Sequence, residues 1–243
     1  MSALAHFIER SGVATATIAL VREQAERVGP RRTLWVPFPL GRPLGAADDP
    51  EFQTNVLRAA FDLFDTVTEP AIVDYPLEAP GELNAQQWAC PLNLSVPVDD
   101  SLESRFRAEV ASLRPWFDIT TDRRGHSTFG ASGAAFSQVD VVVDALLSLA
   151  SDGSFTELPV GAEWSHEMPL LSRHLAGDMR TLYQDAIAAQ PGDGAPTHDA
   201  LNDWIFGKTV LGEVLQTAAT RAQGSENGLV KFMKFFMIPE GYH

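Results

Sequence analysis

The sequence predicts an α/β fold: a small, mainly parallel sheet with flanking helices, followed by a mostly helical C-terminal portion. Three observations lead there. Short β-prone runs, Val13–Val21, Thr33–Phe38 and Ala71–Tyr75, alternate with helical patterns in the first third of the chain. Strands separated by helices need crossover connections, and crossovers make parallel pairs. After Ser151-Asp152-Gly153 the strand signal fades and helical periodicity dominates. The expected organisation is an α/β domain over residues 1–150, with a helical portion over residues 151–243 packed on it.

Each element has its own signal. Ala3–Arg10 reads as a short helix with Leu4, Phe7 and Ile8 on one face, stopped by Ser11-Gly12. Val13–Val21 is nearly continuous and β-prone, as in a strand buried on both faces. A polar helical turn, Arg22–Val28, leads through Gly29-Pro30 to the second strand, Thr33–Phe38. Asp48-Asp49-Pro50-Glu51 is a helix start: Asp49 can cap, Pro50 suits the first turn, and the acids favour the dipole. Phe52, Val56, Leu57, Ala60, Phe61 and Phe64 give that helix its expected buried stripe.

Ala71–Tyr75 is the third strand, and the prolines at 76, 80, 91 and 97 mark an extended loop. Ser101–Leu113 is expected to be helical. Arg123–Thr128 reads as a polar turn, and Gly130-Ala-Ser-Gly133 as the opening of a helix that runs through Leu149. His166–Gln190, Thr197–Gln223 and Gly228–Ile238 are three further helices, with Thr197 or Asp199 as a cap. Gly207 and Gly212 each cost a helix about 1 kcal/mol relative to Ala, so close packing or a bend is expected there.

Composition narrows the function. Eighteen basic against 32 acidic residues give a net charge of −14, which disfavours nucleic acid and anionic membranes as partners. Local binding of a small anionic substrate is still compatible with that total. The single cysteine, Cys90, allows neither an intrachain disulfide nor a CxxC metal site. Glu9 and Arg10 interrupt the place where a signal peptide needs its apolar core. Val13–Val21, the longest apolar run, falls far short of the ~20 residues that span a bilayer. The expectation is a cytoplasmic protein.

The candidate site is "VPFPLGRPLG", residues 36–45. A strand runs into a Gly/Pro loop and then into a helix, so loop amides around Gly41 and Gly45, with the Arg42 guanidinium, suit a carboxylate or phosphate. Shaping a tight loop is the other reading of the same residues, with Arg42 paired to Asp48 or Asp49. His126 lies in a polar turn with Arg123, Arg124, Ser127 and Thr128 and is a second candidate for substrate contact. Cys90 has no basic neighbour in sequence to lower its pKa and reads as a small buried residue. His174 and Asp178 are an i,i+4 pair, expected as a surface contact and not as a metal site. No metal and no cofactor is expected.

Over the first 65 or so residues the chain resembles the selenoprotein B family of glycine, betaine, sarcosine and D-proline reductases. Glu9, Gly12, Val28-Gly29, Arg31, Pro39-Leu40-Gly41 and Pro43 match that family's pattern, and Phe38 stands where the family carries histidine. The resemblance implies an oxidoreductase subunit that binds a small carboxylated, amine- or sulfur-containing substrate. In that family the redox motif, a selenocysteine or cysteine with a second cysteine nearby, precedes the helix equivalent to Ala3–Arg10. The chain starts at that helix, so a partner protein is expected to supply the Cys/Sec motif, and an oligomer is expected. The alternative is a non-catalytic ligand-binding or assembly protein that retains the reductase-like fold. An enzyme working alone through Cys90 or His126 is the weakest reading, because no nucleophile–base pairing is visible.

Overall fold

Three short strands pair in parallel, as the alternating pattern predicts. The computed structural model describes every residue except 1, 80–81, 84–87, 89–96, 191–194, 240 and 243. The chain divides into two compact units, Met1–Glu82 and Leu83–His243.

Unit 1 contains α1 (Ser2–Arg10), β1 (Thr17–Ala19), α2 (Arg22–Val28), β2 (Arg32–Trp35), α3 (Pro50–Thr66) and β3 (Ala71–Asp74). The sheet order is β1-β2-β3, with Ala19 opposite Trp35 and Trp35 opposite Asp74. Val13–Val21 is not the doubly buried strand its composition suggests. Only Thr17–Ala19 pairs, on the sheet edge, and Val13 is 56% exposed. β2 takes the central place instead. Its ladder stops because Pro37 and Pro39 have no N–H to give. Leu34, Val36 and Phe38 are nevertheless all buried, continuing the period of two past the last ladder residue.

Asp49 caps α3 as expected, its side chain accepting from Phe52 N at 3.0 Å with Pro50 in the first turn. The buried stripe differs from the expected one. Val56, Ala60 and Leu63 are buried with Phe52 against them, whereas Leu57, Phe61 and Phe64 point outward. Spacings of four, four and three from Phe52 describe one narrow stripe, and the outward three lie one step around the helix. On α1 it is Ala5 that is buried, while Leu4 and Phe7 are exposed.

Unit 2 carries α4 (Leu102–Arg124), α5 (Val139–Ala150), α6 (Leu170–Ala188), α7 (His198–Lys208), α8 (Val210–Gly224) and α9 (Gly228–Met237). The expected boundary at residue 150 is therefore displaced. α4 and α5 share one core with the later helices, with Phe106, Val110, Leu146, Leu175, Leu182 and Leu215 all buried in it. A sheet of three short strands offers too little surface to cover those helices, and they bury their apolar faces on one another instead. The chain divides within the proline-bearing stretch 76–97, most of which lies outside the described residues.

α4 continues through Pro115 to Arg124 rather than ending at Leu113, and closes on Gly125 with φ +71°. A proline inside a helix costs about 3 kcal/mol. Phe117 and Thr120, both buried beyond it, show what packing offsets that cost. Residues 197–223 form two helices and not one. The chain turns at Thr209 (ψ 158°), whose hydroxyl accepts from Gly212 N at 3.2 Å. A Cβ on Gly212 would sit 2.5 Å from the Ile205 carbonyl, so this glycine serves close packing, as expected.

Candidate functional site

At the carboxyl edge of a parallel sheet the strands deliver their last side chains side by side, and in unit 1 these form a charged cluster. Trp35 ends β2 and Asp74 ends β3 in register, and Arg22 follows β1 at the start of α2. Arg22 Nη1 donates to Asp74 Oδ1 at 2.6 Å and Arg22 Nε to Glu26 Oε1 at 3.1 Å. Its guanidinium carbon lies 5.1 Å from the centre of the Trp35 ring, a cation–π distance. The bond to Asp74, the largest influence, raises Arg22 above its ordinary pKa and keeps it cationic. Trp35 Nε1 is buried and has no hydrogen-bond partner among the described residues. A guanidinium, two carboxylates and an indole ring thus stand together at the carboxyl edge of the sheet.

The loop that leaves β2 directly after Trp35 contains Gly41, Arg42 and Gly45. Arg42 N donates to Pro39 O at 3.1 Å, and Gly41, at φ +89°, occupies the third position of that turn, where a positive φ defines type II. Gly45 N donates in turn to Arg42 O at 3.0 Å. Gly45 also has φ +88°, and a Cβ there would lie 2.7 Å from the Phe52 ring. The amides of Arg42 and Gly45 thus close the loop on itself instead of cradling an anion. The exposed side of Arg42 is what the loop can present to a ligand. Phe38, Phe52 and Tyr75 anchor the loop with ring centroids 5.6 to 6.0 Å apart. Phe38 is buried in this aromatic cluster and places no titratable group at the position.

The sheet order runs in sequence, so the loop does not sit at a reversal of strand order, where open α/β sheets form their ligand crevice. The cluster is a shallow, surface-facing site: the Arg22 and Asp74 side chains are 38% and 55% exposed.

Glu9, Gly12 and Gly29 of the resembling stretch have structural roles here. Glu9 Oε1 accepts from Thr15 N at 2.7 Å, from Thr15 Oγ1 at 3.0 Å and from Arg32 Nη1 at 2.9 Å. The Thr15 amide, first among these, holds the Glu9 carboxyl below its usual value, and the charges of Arg32 and Arg31 act in the same direction. Gly12 (φ +88°) ends the α1 turn and Gly29 (φ +61°) caps α2 in the left-handed region.

His126 belongs to unit 2, in the turn after α4. It is exposed, and its Nδ1 lies 3.0 Å from Arg124 O. Cys90 lies outside the described residues. The expected His174–Asp178 surface contact is not made as a hydrogen bond, although the Asp178 charge acts on His174 against the effect of burial. Asp178 is fully buried, and its carboxylate accepts from the amides of Gly130, Ala131 and Ser132 and from Ser132 Oγ at 2.6 to 3.1 Å. Residues 130–133, expected to open a helix, are instead a loop wound around this carboxylate. His174 stacks on His166 at 3.9 Å, and burial, with His166 and Arg173 adding to it, draws it below the usual histidine value. Glu109, also buried, accepts from Tyr183 OH and from the Val210 and Leu211 amides, and burial raises its pKa.

Sequence reasoning reached the loop and missed the Arg22–Trp35–Asp74 cluster. The one signal was positional: Arg22, Trp35 and Asp74 each lie within three residues of the end of an expected strand. Among the described residues no group of three or more His, Cys, Asp or Glu side chains is placed to hold a metal ion, and no helix is long and apolar enough to cross a membrane. No protein-family model, no curated protein and no solved structure matches this chain.

Proposed function

We propose that unit 1 is the binding half of a reductase-like assembly. It takes a small carboxylated, amine- or sulfur-containing molecule at the carboxyl edge of the sheet and contributes no redox group of its own. The observation that carries this reading is the Arg22–Asp74 pair set beside Trp35, directly before the loop that bears Arg42. A zwitterion can exchange into that pair without leaving either charge unmatched: its carboxylate meets Arg22 and its amine meets Asp74. Reductive cleavage by a thiolate or selenolate needs a second thiol to close a bond at about 2 Å and release the product. One cysteine cannot do both, so the redox pair comes from outside these 243 residues. His126 stands in unit 2 and takes no part in the proposal.

A second reading, a non-catalytic binding or assembly protein, is favoured by a different observation. Glu9, Gly12, Gly29 and Gly41, which carry much of the resemblance, each have a structural use in unit 1. Their retention follows from the fold whether or not any chemistry is done. The two readings part on one experiment: the pure chain is titrated with glycine, sarcosine, betaine and D-proline, and dithiothreitol and a selenocysteine- or dithiol-bearing partner are then added. Turnover only with the partner supports the binding half. Binding with no turnover under either condition supports the second reading.

A further inference from the structure

We propose that the outward face of α3 is the contact through which two copies of this chain pair about a two-fold axis. The proposal is independent of the ligand site. Phe61, at the middle of this face, is 62% exposed, and Leu57 and Phe64 on either side are 38% and 39% exposed. The Phe61 and Phe64 rings stack at 6.4 Å with 19° between their planes, so they present a flat apolar surface. Arg32 extends the patch toward α1. Its guanidinium carbon lies 5.7 Å from the Phe64 ring centre while its Nη1 holds Glu9, and α1 exposes Phe7 and Leu4.

The charges beside this face fit a second copy. Arg58, Asp62 and Asp65 flank it on one side, all exposed, and none of them is in an ion pair among the described residues. When two such helices run antiparallel about an axis near Phe61, equivalent flanks face each other. Arg58 of each copy then meets Asp65 of the other, and Leu57 of each packs against the other's Phe64. The pattern is self-complementary. The apolar face of α9, with Leu229, Phe232 and Phe235 exposed, differs in this respect. It carries Lys231 and Lys234 and no acid, so a two-fold contact there would set lysine against lysine. An anionic lipid surface fits α3 no better, because Asp62 and Asp65 would face it.

A single helix pair with the ends of α1 falls at or below the ~1,200 Å² of a standard interface, so a reversible dimer with a roughly micromolar Kd is expected. The test is sedimentation equilibrium of the full chain from about 1 to 200 μM, with circular dichroism as the control for folding. The wild type should dimerise. Arg58→Asp and Asp65→Arg should each weaken the dimer by roughly tenfold, since each breaks two pairs and creates like-charge contacts. The double variant should recover most of the loss. Phe61→Cys in a Cys90→Ser background should form a disulfide-linked dimer under mild oxidation. A wild type that stays monomeric over this range overturns the proposal. So does a dimer that neither charge reversal weakens, or single losses that the double variant does not recover.

Discussion

Arg22 and Asp74 stand 52 residues apart in sequence and 2.6 Å apart in space, bridging the ends of the first and third strands across Trp35. Their exposure makes the pair weak as a stabilising device, because water and salt screen it. Its position at the carboxyl edge of the sheet is what the proposed binding role rests on.

Arg22→Ala should therefore lower the affinity of a zwitterionic or carboxylate ligand at least tenfold while moving the melting temperature by only a degree or two. Calorimetric titration beside a thermal melt reads both. A large loss of stability with affinity intact would make Arg22 a structural residue.

Arg42→Ala is expected to weaken carboxylate binding and to leave the loop turns themselves in place, because backbone bonds from Arg42 N to Pro39 O and from Gly45 N to Arg42 O close them. Gly41→Val should do the reverse. A β-branched residue at φ +89° is strained by roughly 1–3 kcal/mol, and the melt should show it.

Asp178 is a test of unit 2. Asp178→Ala strands three backbone amides and one hydroxyl in a buried loop, a loss of about 3 kcal/mol or more. In a unit of this size that is roughly 6–12 °C of melting temperature. Asp178→Asn, which keeps one acceptor oxygen, should lose less. Equal melts for wild type and Asp178→Ala would show that the loop does not depend on the carboxylate.

Glu9 gives unit 1 an acid sensitivity. Its carboxyl is depressed in the folded state, so the stability it contributes is complete above the unfolded value near pH 4.3 and is lost as pH falls through the folded value. Glu9→Gln should flatten the pH dependence of unit 1 stability below about pH 4.5, read by urea melts from pH 3 to 7. An unchanged slope would remove Glu9 as the cause.

How much of this the sequence could show depends on range. Asp49-Pro50 announced the start of α3 because capping is local, and Gly41 announced a turn for the same reason. The exposure of Phe61 and the burial of Leu63 were not legible, since both fit a helical period and only the packing on β2 separates them. α4 passes Pro115 because a core formed by distant helices holds Phe117. The Gly130–Ser132 loop looked like a helix start because its partner, Asp178, lies more than 40 residues on. The candidate site divides along the same line. Its loop was readable, and its charged pair, which depends on sheet order and register, was not.

Under the proposed function, unit 1 binds a small zwitterion and does not by itself reduce it. The most direct measurement follows isotope-labelled glycine, sarcosine, betaine and D-proline with the pure chain and dithiothreitol, recording ligand binding by NMR line broadening and product by mass spectrometry in the same samples. Saturable binding of at least one ligand, lost in Arg22→Ala, is expected, with no product. Product formed by the pure chain, or no binding of any of the four, would contradict it.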